Sequence, residues 1–212
     1  MVENICLYTH TSIRINGGSS VVYIDPFQMK EKPKDADYIL VTHDHYDHFS
    51  PDDIAKVSKK DSVLVIPRNM KDKVDLKELG VGRIVTVDPG KAYDIDGLKI
   101  ETVPAYNKLK PFHPKSAGWV GYIVIMDEKR IYIAGDTDVT KEAKQVRCDI
   151  AMIPVGGTYT MDAVKAADLV NTIRPKVAIP THYGTVVGKP GDADVFAGKV
   201  HQAVRVEIIK KY

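Results

Sequence analysis

Three histidines and two aspartates crowd the six residues from His43 to His48, within the run Thr-His-Asp-His-Tyr-Asp-His. An apolar run, Asp37 to Val41, precedes them and reads as a strand. A helix-start signal follows: Ser50 as cap, Pro51 at the first helical position and Asp53 three residues after the cap. A tight loop at the C-terminal end of a strand lets neighbouring side chains converge on one point outside the sheet. His43 and His45 are two apart, so in extended backbone they point the same way. Asp47 and His48 come after the chain bends and face a second point nearby. Of the ligand-capable residues His43, Asp44, His45, Asp47 and His48, the spacing suits two adjacent metal ions rather than one. A fold that uses them must bring further ligands from distant strand ends to the same place.

The rest of the chain supplies such strand ends. Short β-branched runs recur, among them Ser20 to Phe27, Asp61 to Pro67, Trp119 to Met126, Arg130 to Gly135, Asp149 to Gly157 and Lys176 to His182. Asn16-Gly17 carries a hairpin signal. Helical patterns are fewer: one from Ser50, one over roughly Lys71 to Leu79 ending at Gly80, one from about Thr160 to Arg174, and one near Asp192 to Ala203. In the third, Ala163, Ala167, Val170 and Ile173 make one apolar face, and Pro175 stops the helix. Strands outnumber helices and do not alternate with them strictly. That argues against a doubly wound sheet and for an α+β chain with two mixed sheets covered by helices. No linker appears, and 1–212 reads as a single domain.

Composition excludes several partners. The net charge is +2 over 212 residues, which gives no electrostatic footprint for nucleic acid or a membrane surface. No apolar run approaches the ~20 residues that span a bilayer. The first residues lack the basic start and apolar core of a signal peptide. The two cysteines, Cys6 and Cys148, lie far apart in apolar runs and read as core thiols in a reducing compartment. The expectation is a cytoplasmic protein acting on a small molecule; oligomeric state is not legible.

A dinuclear site needs more than the histidine cluster. Asp136 closes the strand in Arg130 to Thr137, and His182 closes that in Val177 to Gly184. Both occupy the structural place of His43. In this order, Thr-His-Asp-His-Tyr-Asp-His, Ala-Gly-Asp-Thr (134–137) and Pro-Thr-His-Tyr-Gly (180–184) resemble the motifs of the metallo-β-lactamase superfamily. Tyr-Ile-Asp-Pro-Phe (23–27) is similar to its first motif, at Asp25. The resemblance implies a four-layer αββα sandwich. It implies that His43 and His45 bind a first metal, that Asp47, His48 and His182 bind a second, and that Asp136 bridges them. One position departs from the pattern: Asn107 stands where another first-metal histidine is expected. Within the branch of small hydrolases related to L-ascorbate-6-phosphate lactonase, residues 104–107, 112–115 and 118–124, together with 156–162, look familiar as a pair of motifs. On that basis His113 supplies the missing ligand; Asn107 as an oxygen ligand, or a depleted first site, are the alternatives.

Two divalent ions hold and ionise a bridging water. Their charge exceeds that of Asp47, Asp136 and a hydroxide, so the site would attract an anionic substrate and stabilise a developing oxyanion. Asp47 would orient the nucleophile and exchange a proton. The expected function is a metal-dependent hydrolase using a metal-bridged hydroxide on an ester-type bond: lactone, phosphodiester, thioester or amide. Asn107, Tyr159 and Thr160 are candidate substrate contacts, and the loop Gly156 to Met161, read as opening a helix, a candidate anion cradle. His10 is a candidate for orienting a ligand. Histidine and carboxylate without thiolate suit Zn first, with Mn or Fe possible. A diiron redox protein and a non-catalytic metal-binding domain are the competing classes. Diiron relatives typically carry Glu where His45 stands, which favours hydrolysis.

Overall fold

The computed structural model describes residues 2–18 and 20–209. They divide into two compact units, with the boundary between Val87 and Asp88.

The first unit holds a six-stranded sheet in sequential order, β1 (Ile5–Leu7), β2 (Ile13–Gly17), β3 (Ser20–Ile24), β4 (Ala36–Leu40), β5 (Ser58–Pro67) and β6 (Arg83–Val87). The β1, β2 and β3 strands pair antiparallel; β3 through β6 pair parallel. Helix α1 (Pro51–Val57) carries the chain from β4 to β5. Ser50 caps it, its side chain accepting from the Asp53 amide, as the sequence predicts. One face of α1 then delivers Ile54 and Val57 to a core with Ile39, Val41, Leu64, Ile66 and Met70. This burial of apolar surface is the main stabilising term for so short a helix.

The predicted helix over Lys71 to Leu79 is two pieces. A 3₁₀ turn covers Arg68–Lys73, and α2 is only Leu76–Leu79. The Asp75 carboxylate accepts from the Lys77 amide and starts a new helix there, competing with a continuous one. The hairpin signal at Asn16-Gly17 does not mark the turn itself: Asn16 pairs with Val21 and Gly17 with Ser20, so both remain in strand.

The second unit holds a seven-stranded sheet, ordered β13 (Arg205–Val206), β12 (Val177–Thr181), β11 (Ile150–Pro154), β10 (Lys129–Ile133), β9 (Val120–Met126), β8 (Leu98–Pro104) and β7 (Ala92–Ile95). The β7–β10 strands form an antiparallel meander, and β10–β13 pair parallel. Strand β7 is absent from the sequence reading. The Asp96-Gly97 dipeptide that joins it to β8 sits at φ 51° and 94°, the tight hairpin turn that Asp-Gly favours. Helix α3 (Ala163–Ile173) is capped by Asp162 and ends at Arg174. Its Ala163, Ala167, Val170 and Ile173 are buried as predicted, against a core that includes Ile153, Met161 and Phe196. Phe196 lies on α4 (Asp192–Lys199), shorter than the predicted span.

Each unit is thus a mixed sheet flanked by helices. Among the described residues no helix is long and apolar enough to cross a membrane. Cys6 and Cys148 form no disulfide, and both are only partly buried against the two cores rather than the core thiols expected. Desolvation, with the Asp149 charge adding to it, pushes the Cys148 thiol up to about 12, so it stays protonated near neutrality.

Candidate metal centre

In the first unit the cluster is built where β4 ends. That strand lies inside the sheet, with Leu40 opposite Ile24 and Val65. Ligands gather outside the carboxyl ends of parallel strands in such sheets. Beyond Leu40, the Val41 amide donates to Val65 and holds the chain extended. The bend follows: the His48 and Phe49 amides both donate to the His45 carbonyl, and Ser50 starts α1. His43 and His48 are buried, Asp47 is 7% exposed and His45 is half-buried. His43 Nε2 lies 3.1 Å from His45 Nδ1, so these two nitrogens converge as their spacing predicts. Asp44 does something else: its carboxylate forms an ion pair with Lys73.

Three residues order this cluster from behind. Asp25, wholly buried beyond β3, accepts from the Thr42 amide at 2.8 Å and the Thr42 hydroxyl at 2.7 Å. His48 Nδ1 lies 2.7 Å from Asp25 Oδ2. A carboxylate can only accept here, so Nδ1 carries the hydrogen and Nε2 presents the lone pair a metal needs. Burial raises the Asp25 carboxyl above its ordinary value, while His48 and the Thr42 hydrogen bonds pull it back. His10, 2% exposed, sets its Nε2 3.0 Å from Asp47 Oδ2 and fixes that carboxylate. Asp25 and His10 both hold positive φ, 44° and 53°. The sequence named both, but gave Asp25 no role.

In the second unit the focus is Asp136, just past β10 and 3% exposed. Its Oδ2 is 3.4 Å from His113 Nε2, and its Oδ1 is 3.1 Å from His182 Nε2. His113 and His182 are buried. The side chain that stood six residues from the expected place is therefore carried to the buried carboxylate. Asn107, 6% exposed, does not face open space: Oδ1 is 3.1 Å from His113 Nδ1, and Nδ2 donates to the Tyr159 carbonyl at 2.9 Å. Thr160 is wholly buried, and its hydroxyl donates to the Met161 carbonyl. The Tyr159 ring is half-buried and packs edge-to-face on Phe112. Lys110 holds the same loop through Asp138, Gly157 and the Thr160 carbonyl. Helix α3 begins at Ala163, later than predicted, and the Asp162 carboxylate already takes the Lys165 amide. The loop Gly156 to Met161 does not open the helix directly, which removes the reason for an anion cradle there.

Backbone packing places His182. Gly156 follows β11, and a Cβ at that position would meet the His182 carbonyl oxygen at 2.2 Å. Gly156→Ala must push the His182 segment away. We expect a stability loss of about 1–3 kcal/mol, read from the denaturant midpoint, together with weakened metal retention. An unchanged midpoint and metal content would show that the segment yields freely.

The donor set fits divalent metal ions. Buried carboxylates and imidazoles without thiolate suit Zn, Mn or Fe, and buried carboxylates need cationic compensation. His10, His43, His45, Asp47, His48, His113, Asp136 and His182 all offer atoms to groupings that could hold a metal ion.

Known proteins resemble this chain over most of its length. The beta-lactamase superfamily domain family matches residues 4–182. A UPF0173 metal-dependent hydrolase of Aeropyrum pernix is 31% identical, covering 95% of this chain and 92% of its own. One from Thermoplasma acidophilum is 34% identical, covering 92% and 91%. A crystal structure from Parabacteroides distasonis, assigned as a metal-dependent hydrolase, matches with TM-score 0.79 at 32% identity, covering 97% of this chain and 91% of that one. The chain therefore belongs to the metal-dependent hydrolases of the metallo-β-lactamase superfamily.

Proposed function

We propose that this hydrolase is dinuclear and cleaves an ester-type bond, in a lactone, phosphodiester, thioester or amide, of a small anionic substrate in the cytoplasm. The two units act as one domain. His43, His45 and His113 would hold one divalent ion, and Asp47, His48 and His182 the other. Asp136 would serve both, and Zn is the first choice of metal. The observation that carries this reading is Asp136, whose two oxygens face Nε2 atoms of two different histidines, at 3.4 and 3.1 Å. A carboxylate so flanked has the form of a bridging ligand.

The bound ions supply Lewis acidity and an ionised solvent nucleophile at neutral pH. The chain's residues do the rest. Asp25 fixes the His48 tautomer through Nδ1. Asp47, held by His10, is placed to take the solvent proton and return it to the leaving group.

The test is direct. Purified protein should carry about two metal ions per chain, and a chelator should abolish hydrolysis across a panel of a phosphorylated lactone, a phosphodiester, a thioester and an amide. Re-addition of Zn, Mn or Fe(II) ranks the metals. Protein purified without metal, or hydrolysis indifferent to chelation, would refute the reading.

A further inference from the structure

The loop that carries His113 is closed on itself at its base. The Asn107 amide donates to the His113 carbonyl at 2.7 Å, and the Asn107 side chain reaches the same residue's ring. The orientation of that side chain is settled by its other contact. Nδ2 lies 2.9 Å from the Tyr159 carbonyl, which can only accept, so the amide nitrogen points there and Oδ1 points at His113. An amide oxygen can only accept in turn. His113 Nδ1 must therefore carry the hydrogen, and its lone pair sits on Nε2, the atom 3.4 Å from Asp136 Oδ2. The Trp119 ring, 5.3 Å away at 69°, limits rotation of the imidazole.

We infer that Asn107 is a positioning residue for His113: through the chain Tyr159 carbonyl, Asn107 amide, His113 Nδ1–H, it selects the tautomer and ring orientation that let Nε2 bind metal. This rests on His113 being a metal ligand, as proposed above. It gives Asn107 a role distinct from ligating metal or contacting substrate. The buried position of Asn107 agrees with that, because both ends of its amide are used within the protein.

The conservative series Asn107→Asp and Asn107→Leu tests it, with Zn titration and imidazole ¹⁵N NMR as readouts independent of turnover. Leucine fills a similar volume but accepts nothing, and should weaken the tighter-affected metal site by roughly 10- to 100-fold. Aspartate still accepts from Nδ1–H, and should stay much nearer to wild type although it cannot donate to the Tyr159 carbonyl. In the metal-free wild type, His113 should show the Nδ1–H tautomer, and Asn107→Leu should lose that preference. Three results would overturn the inference: unaltered Zn affinity in Asn107→Leu, equal weakening by leucine and aspartate, or an Nε2–H tautomer of His113 in the wild type. Wild-type protein that takes up no metal would instead refute the metal centre itself, so the two failures are distinguishable.

Discussion

Replacing Asp136 with alanine is expected to abolish hydrolysis, lowering kcat/KM by about 10³-fold or more, and to remove most of the bound metal. The two oxygens of Asp136 face Nε2 atoms of His113 and His182, at 3.4 and 3.1 Å. Those histidines arrive from separate places, one in the loop after β8 and one at the end of β12. Without the carboxylate, buried cations would lose the anion between those imidazoles, and the charge of each ion would be poorly compensated. The fold should survive. Asp136 follows β10 rather than lying in it, and β10 keeps its pairing with β9 and β11. Neighbouring Thr137 holds the Tyr106 amide through its own hydroxyl.

Asp136→Asn separates charge from shape. It retains one acceptor oxygen but presents an NH₂ group to one of the two histidines, so it should keep part of the metal and little activity. Metal analysis of purified variants and single-substrate kinetics decide the matter. Full metal content with normal turnover in Asp136→Ala would remove the proposed bridge.

How much of this could be seen in the sequence differs by residue, for physical reasons. His43, His45, Asp47 and His48 were legible because their geometry is local: an extended pair, a bend and a capped helix, all encoded within a few residues. Asp136 and His182 were legible as polar residues closing apolar strands. His113 was harder. Its distance from the expected position is measured along a loop whose base is closed by the Asn107 amide and His113 carbonyl, and spacing alone does not reveal a closed loop. The ordering role of Asp25 was hidden further, because its partners Thr42 and His48 lie 17 and 23 residues along the chain and meet it only once β3 and β4 pair; His10 was legible as a candidate for orienting a ligand, but not that Asp47 is the residue it holds. Local competition accounts for the misplaced elements. Asp75 breaks the predicted helix by capping a new one, and β7 is short with exposed residues, so its alternation is weak.

Asp25→Ala should have the largest effect on the folded state itself, a loss of about 3–5 kcal/mol in the metal-free protein. The side chain is wholly buried and is the acceptor for the Thr42 amide, the Thr42 hydroxyl and His48 Nδ1, at 2.8, 2.7 and 2.7 Å. Removing it leaves buried donors without their acceptor, which costs more than the hydrogen bonds themselves contribute. Alanine must also adopt φ near 44°, where a Cβ without a polar side chain is disfavoured. Asparagine tolerates that backbone and keeps one acceptor, so Asp25→Asn should unfold closer to wild type. Its amide nitrogen, however, would stand where an oxygen now accepts from His48. His48 would then be driven to the other tautomer, with hydrogen on Nε2, and metal affinity should fall roughly 10- to 100-fold. Urea unfolding after chelation isolates the first effect from stabilisation by bound metal, and Zn titration of Asp25→Asn isolates the second. Asp25→Ala unfolding at the wild-type midpoint, or Asp25→Asn binding Zn like the wild type, would show that the carboxylate beneath β4 neither holds the loop nor sets the histidine it touches.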